Sequence, residues 1–304
     1  MRINARQMHA PFGACLQVRC AGASKGDVPR RCFYMERIKR NERIAAMMQV
    51  LSSAPNKVFT LGHFCQMFSA AKSTISEDID ILQRSLSEFS LGAVETVTGA
   101  AGGVRYRPAC DSDKSRKFLE DICEKLADPS RVLPGGFLYM ADILADPAVV
   151  CRMGEILAAR FFVEAPSIVI TMETMGIPVA METARILGVP LVIARRDSKA
   201  YEGSAVKINY TAGSGNGIET MSLSRRAVTS AQRALIVDDF MKGGGTMRGM
   251  NDLMREFDVE VVGMGVVMST ASPERKRIDG VHALLIRQDV VEGEPTVVTP
   301  ADWI

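Results

Sequence analysis

One stretch restricts what this chain can fold into more than any other: Ala234 to Thr246, read ALIVDDFMKGGGT. The apolar run Ala234-Leu235-Ile236-Val237 predicts a buried parallel strand. It stops at two carboxylates, Asp238 and Asp239, and Phe240, Met241 and Lys242 lead into Gly243, Gly244, Gly245 and Thr246. Met250, Leu253, Met254 and Phe257 then repeat at helical spacing. A strand, a glycine turn and a helix N-terminus make a phosphate cradle, because glycines let backbone N–H groups approach an anion and the helix dipole favours it. Carboxylates repel phosphate, so the acidic pair suits sugar hydroxyls or a hydrated cation. The ligand expected from these residues is a sugar phosphate. A Walker nucleotide site is excluded, since G-x-x-x-x-G-K-[ST] is absent.

With 304 residues the chain has room for two domains. No apolar run reaches the roughly 20 residues that cross a bilayer, and Gly13 and Gln17 interrupt the only signal-peptide candidate. A cytoplasmic protein with no membrane partner is expected. Seven cysteines, an odd number without paired spacing, speak against a disulfide framework. Cys15, Cys20, Cys32 and His9 fit no compact zinc pattern, so no metal site is expected. Residues 1–34 carry six Arg or Lys side chains against Asp27 and show no period. They read as a disordered extension or as sequence upstream of a true start at Met35.

From Met35 the pattern becomes regular. Ile44, Met47, Met48 and Leu51 mark a helix, Val58-Phe59-Thr60 a short strand, and Leu61, Phe64, Cys65 and Phe68 a second helix. A third helix buries Ile75, Ile79, Leu82 and Leu86, with Thr74 as N-cap and Glu77 closing a capping box. Val94–Val97 and Val104–Arg107 form a hairpin around a Gly-rich turn. That order predicts a winged helix-turn-helix over residues 35–108. Beyond it, residues 109–304 alternate strands and helices: a helix over 111–127, a strand over 137–139, a helix over 148–163, then strands at 168–171, 191–194, 234–237 and 261–267 with helices at 177–187 and 246–257. The fold class is α/β, with a doubly wound parallel sheet. Residues 197–231 read as a long polar insertion, the composition of a flap that closes over a ligand.

Ligands of such sheets bind beyond the carboxyl ends of the strands. Besides Asp238 to Thr246, two such ends stand out. Glu173, Thr174, Met175 and Gly176 open a helix whose N–H groups suit a second anion. Arg196 and Lys199 supply cations at a third. In the winged helix, Lys72, Ser73, Thr74 and Ser76 offer short donors at a helix N-terminus, Lys39 and Arg40 flank the first helix, and Arg105 and Arg107 share one face of the wing. These eight are the expected DNA contacts. Asp78 and Asp80 oppose that role if they face DNA.

The strand-end segment resembles the phosphoribosyl pyrophosphate (PRPP) motif of type I phosphoribosyltransferases. From Met35 onward the chain resembles the purine operon repressor family of Gram-positive bacteria, on Ala71-Lys72-Ser73, Ile75-Ser76-Glu77-Asp78, Gly99 to Val104, Leu133-Pro134-Gly135-Gly136, Glu202-Gly203-Ser204, Thr220-Met221-Ser222-Leu223 and Asp238 to Lys242. The resemblance implies a winged helix fused to a type I phosphoribosyltransferase-like domain. It implies a homodimeric repressor of purine synthesis and transport genes that binds operator DNA. It further implies PRPP as effector, bound without turnover, with Mg2+ as companion ion and guanosine tetraphosphate as a competitor. Two departures stand out: Met175 replaces a Lys or Arg common in the pyrophosphate loop, and the chain ends at Trp303 and Ile304, soon after Pro295. The rival readings are an active purine phosphoribosyltransferase with an accessory winged helix, and a scaffold whose winged helix binds protein. Two switching routes remain open, a change of conformation and direct competition of PRPP with DNA.

Overall fold

The computed structural model describes residues 38–99, 102–197, 203–211, 217–290 and 294–304. Lys199, Glu202, the extension at 1–34, and Cys15, Cys20, Cys32 and His9 lie outside the described residues. Residues 39–304 form one compact unit.

The winged helix runs α1 (Arg40–Ser53), α2 (Leu61–Phe68), α3 (Lys72–Glu88), β1 (Gly92–Val97) and β2 (Gly103–Pro108), with β1 and β2 antiparallel. Apolar residues at helical spacing meet in one small core of Met47, Leu51, Phe64, Phe68, Ile75, Ile79, Leu82 and Leu86, closed by Val94 and Val104 from the wing. The expected strand at 58–60 is a single bridge, Phe59 exchanging two backbone hydrogen bonds with Val104. The expected capping box is corrected. Ser69 ends α2 in the left-handed region and Ala71 is already extended, so α3 starts at Lys72, and Thr74 sits inside the first turn. Glu77 turns to Arg40 instead, at 2.7 Å.

Asp78 would oppose DNA binding only if it faced DNA, and it faces inward. It is fully buried, with Arg43 Nε and Nη2 donating to its two oxygens at 2.7 and 3.2 Å. Arg40 Nε lies 3.3 Å away. An arginine fork on a carboxylate is the arrangement that makes burial of both charges tolerable.

The rest of the unit is an α/β layer. It comprises α4 (Ser112–Leu126), β3 (Val132–Leu133), β4 (Phe137–Leu138), α5 (Ala141–Ala145), α6 (Pro147–Phe161), β5 (Ile168–Met172), α7 (Ile177–Leu187) and β6 (Leu191–Ala194). Then follow β7 (Ala205–Thr211), β8 (Ile218–Ser224), β9 (Arg233–Met241), α8 (Gly245–Arg255), β10 (Glu260–Thr270), β11 (Val281–Arg287) and β12 (Val298–Pro300). The main sheet has the order β12-β11-β10-β9-β5-β6 and is parallel except for β12 at the edge. Both faces are covered, as the unbroken apolar strands require. Val169, Leu235, Val237 and Leu285 pack under α4, α6 and α7. Ile170, Ala234, Ile236 and Val266 pack under α8 and the β7–β8 pair.

Three expectations change. β9 does not stop at the acidic pair but continues through Met241, because β10 pairs with it as far as Ser269. The insertion is an antiparallel ribbon, β7 with β8, whose Tyr210, Met221 and Leu223 are buried against α8. The short strand at 137–138 has a partner, β3, and the pair forms a small hairpin of its own. No helix among the described residues is long and apolar enough to cross a membrane.

Candidate functional site

The three strand ends singled out by sequence do converge. At the end of β9, Asp238 is almost fully buried and accepts from the Asp239 N–H at 3.1 Å. Burial, and then the neighbouring Asp239 carboxylate, raise the Asp238 carboxyl well above the usual carboxylate range. Gly176, the residue before α7, approaches so closely that a Cβ there would lie 2.6 Å from both Asp238 Oδ1 and Thr171 Oγ1. Only glycine lets the Glu173–Gly176 loop touch the acidic pair. Glu173 holds the third end: its carboxylate accepts from the Arg196 N–H at 2.8 Å and from Arg195 Nη1 at 3.3 Å. The Arg196 side chain is two-thirds exposed, and Met175 is half-exposed beside Asp239.

The glycine loop is braced from outside. Gly244 has φ 78°, which admits glycine freely, and α8 starts at Gly245. Arg277 N–H donates to the Gly243 carbonyl at 2.9 Å, its Nη1 to the Thr211 carbonyl at 2.9 Å, and Lys276 Nζ to the Lys242 carbonyl at 2.7 Å. Burial lowers the Lys276 ammonium. Tyr210 Oη donates to Glu219 at 2.7 Å; burial and that carboxylate push it up to about 12, while a hydrogen bond with Thr246 opposes the shift. Sequence reasoning missed this brace. Its signal was the basic run Arg275-Lys276-Arg277, close after the carboxyl end of β10.

The ribbon packs onto the loop so tightly that a Cβ on Gly245 would lie 1.9 Å from the Thr211 carbonyl oxygen. Gly245→Ala is therefore expected to destabilise the protein by about 2 kcal/mol, read as a lower melting temperature; an unchanged melt would refute that packing.

Two adjoining cavities open here. One, of about 360 Å³, is lined by Asp239, Phe240, Lys242, Met175, the β3–β4 hairpin and Arg287. The other, of about 340 Å³, follows Lys242 to Met247. Phe137, Phe240 and Lys242 belong to both. Backbone N–H groups of a glycine loop, the Asp239 carboxylate and aromatic walls suit a sugar phosphate with a pyrophosphate or ring attached. No cluster of three or more His, Cys, Asp or Glu suited to a metal occurs among the described residues.

In the winged helix, Lys72, Ser73 and Ser76 are exposed at the N-terminus of α3, with Thr74 half-buried beside them. Lys39 and Arg40 are exposed at the start of α1, and Arg40 reaches α3 through Glu77. Arg105 and Arg107 make contacts within the protein that the sequence did not suggest. Both pair with Glu95, at 2.9 and 2.7 Å, and both lie over the Phe162 ring, 4.9 and 4.7 Å from its centroid. These contacts tie the wing to the end of α6, and the Arg107 side chain keeps 43% of its surface exposed.

Residues 39–108 match the N-terminal domain of the bacterial purine repressor, and residues 140–297 match the phosphoribosyl transferase domain. A probable purine biosynthesis transcriptional regulator of Streptococcus pneumoniae is 42% identical over 242 residues, which are 79% of this chain and 88% of that protein. The purine biosynthesis transcriptional repressor of Bacillus subtilis is 39% identical over 249 residues, 82% of this chain and 87% of its own. The purine biosynthesis transcriptional activator of Lactococcus lactis subsp. lactis is 39% identical over 248 residues, 82% of this chain and 92% of its own.

Proposed function

The chain belongs to the bacterial purine repressor family of transcriptional regulators, and from that premise we propose that it is a homodimeric repressor whose grip on operator DNA is released by PRPP. The observation that carries this reading is the presence, in one compact unit, of a winged helix and an acidic-pair glycine loop. Lys72, Ser73, Thr74 and Ser76 meet DNA, and Lys39 and Arg40 contact its backbone. PRPP lies with its ribose hydroxyls toward Asp238 and Asp239, its 5′-phosphate on the Lys242–Thr246 loop and its pyrophosphate, with Mg2+, along Glu173–Gly176 and Arg196. Guanosine tetraphosphate competes for the same cavities.

The related proteins include both a repressor and an activator. We take the repressor sign from the Bacillus subtilis relative. The test is an electrophoretic titration with a duplex from upstream of the host's own purine synthesis genes. PRPP is expected to weaken binding, and guanosine tetraphosphate to blunt that effect. An affinity indifferent to PRPP defeats the reading. With about six phosphate contacts, affinity should also fall about a thousandfold between 50 and 200 mM salt.

The phosphoribosyl transferase domain keeps an enzymatic reading alive. The apolar Met175 in the pyrophosphate loop favours a sensor, since that loop must stabilise a departing pyrophosphate if the site does chemistry. Incubation with PRPP, Mg2+ and xanthine, guanine or adenine separates the two. Turnover at ordinary enzyme rates would make the protein a transferase.

A further inference from the structure

We infer that α7 is the element that carries ligand occupancy to the winged helix, and that Asn56 is the positioning residue through which it does so. This rests on the reading of PRPP as the effector.

One helix touches both sites. Its first end is the ligand loop: Gly176 caps α7, accepts from the Ala180 N–H at 3.0 Å, and abuts Asp238. Its other end is the seat of the winged helix. The Ile186 carbonyl, in the last turn, accepts from Asn56 Nδ2. Gly188, which ends the helix at φ 71°, lies so near the loop between α1 and α2 that a Cβ there would be 3.0 Å from the Pro55 oxygen. Eleven residues make a rod of about 16 Å. A rod packed this closely cannot bend to absorb a displacement. A Cβ on Gly154 of α6 would meet Glu182 Cβ at 2.7 Å and Thr183 N at 2.9 Å, so α7 lies hard against α6 and moves along its own axis or with its neighbour.

Asn56 is built as a node. Its φ is 59°, a conformation asparagine tolerates. Its N–H donates to the Tyr106 carbonyl on wing strand β2 at 2.8 Å, while its side chain reaches Ile186. Its Oδ1 is buried and has no hydrogen-bond partner among the described residues. An unsatisfied buried acceptor is a cost that a small shift of the seam can relieve, which suits an element with two arrangements. Beside it lies a cavity of about 400 Å³ between the modules, lined by Asn56, Ile186, Arg107 and Phe162 among others, so the seam has room to move. A ligand that shifts the Glu173–Gly176 loop, which already abuts Asp238, therefore displaces Ile186, Asn56 and the wing together. Among the two switching routes this favours a change of conformation over direct competition.

The measurement is the coupling factor, the ratio of operator affinity without and with saturating PRPP, together with its reciprocal on PRPP affinity. In the parent protein it should exceed about fivefold. Asn56→Gly keeps the backbone conformation and removes the amide; the factor should fall to near one, while operator affinity without PRPP and PRPP affinity without DNA stay within about twofold, a change well inside ordinary point-mutant effects. A factor unchanged in Asn56→Gly overturns the role of α7 and leaves the repressor reading standing. A parent factor of one, with both ligands bound, overturns both. A second measurement needs no variant: PRPP should change amide hydrogen exchange at 54–58 and 186–189 in the full chain, and no change at either segment overturns the inference.

Discussion

Asp78→Ala is expected to destabilise the winged helix by about 3–5 kcal/mol and to abolish operator binding, while the α/β layer still binds PRPP. The carboxylate has no exposed surface, and the Arg43 side chain facing it is only 8% exposed. Removing Asp78 takes away the carboxylate to which the buried Arg43 side chain donates twice. A domain of this size has little stability to give up. Arg43→Met with Asp78→Leu, which removes both charges, should recover most of the loss, since a buried pair is often replaceable by apolar side chains of similar volume. Calorimetric melting and PRPP titration of the full-length variants check this. An Asp78→Ala protein that melts with the parent would show that the pair is not what holds α1 to α3.

That pair also marks where the sequence stopped being legible. Ile75, Ile79, Leu82 and Leu86 define the buried stripe of α3 from spacing alone, and Asp78 falls inside it. An aspartate on an apolar stripe signals a buried partner, but the partner stands 35 residues away on another helix, where periodicity has no reach. The start of α3 misled for a local reason: Thr74 and Glu77 fit a capping box, yet Ser69 had already turned the chain, so the helix began three residues earlier. The acidic pair, the glycine loop and the Gly176 loop were legible because each is a strand end followed by a helix start. The ribbon of β7 and β8 was not. Its strands face a partner on one side only, and their Ser, Asn and Lys residues read as loop until Tyr210, Met221 and Leu223 are seen packed on α8. Arg105 and Arg107 show the limit for charge. Two arginines on one strand face look like a phosphate contact, and only the position of Glu95 and Phe162 reveals that they are occupied.

The acidic pair itself should trade stability for ligand. Asp238→Asn is expected to stabilise the empty protein by about 1–3 kcal/mol near pH 8, the range of point-mutant effects for relief of a buried, unpaired charge, which raises the melting temperature by about 2–4 °C per kcal/mol in a domain of this size. The sign follows from the direction of the shift. Burial and the Asp239 carboxylate raise the folded-state value of Asp238 above its unfolded one. Between those two values the folded protein holds a proton that the unfolded chain has released, so stability falls as pH rises through that window. The asparagine variant does not titrate there. Its advantage should be absent below about pH 4, the unfolded carboxylate value, grow through the window and level off above it. Under the proposed function, PRPP should reverse the preference. Ribose hydroxyls donate to an ionised carboxylate, and a hydrogen bond to a charged group contributes about 1.5–3 kcal/mol. PRPP binding should then release a proton, visible as a buffer-dependent enthalpy in calorimetry. Asp238→Asn with Asp239→Asn should weaken PRPP by about a hundredfold or more, two such bonds being lost, and operator DNA should stay bound at PRPP concentrations that strip it from the parent. A double variant that binds PRPP normally would place the ribose elsewhere. One that gains no stability with rising pH would show that Asp238 is ionised in the empty site, held by a cation.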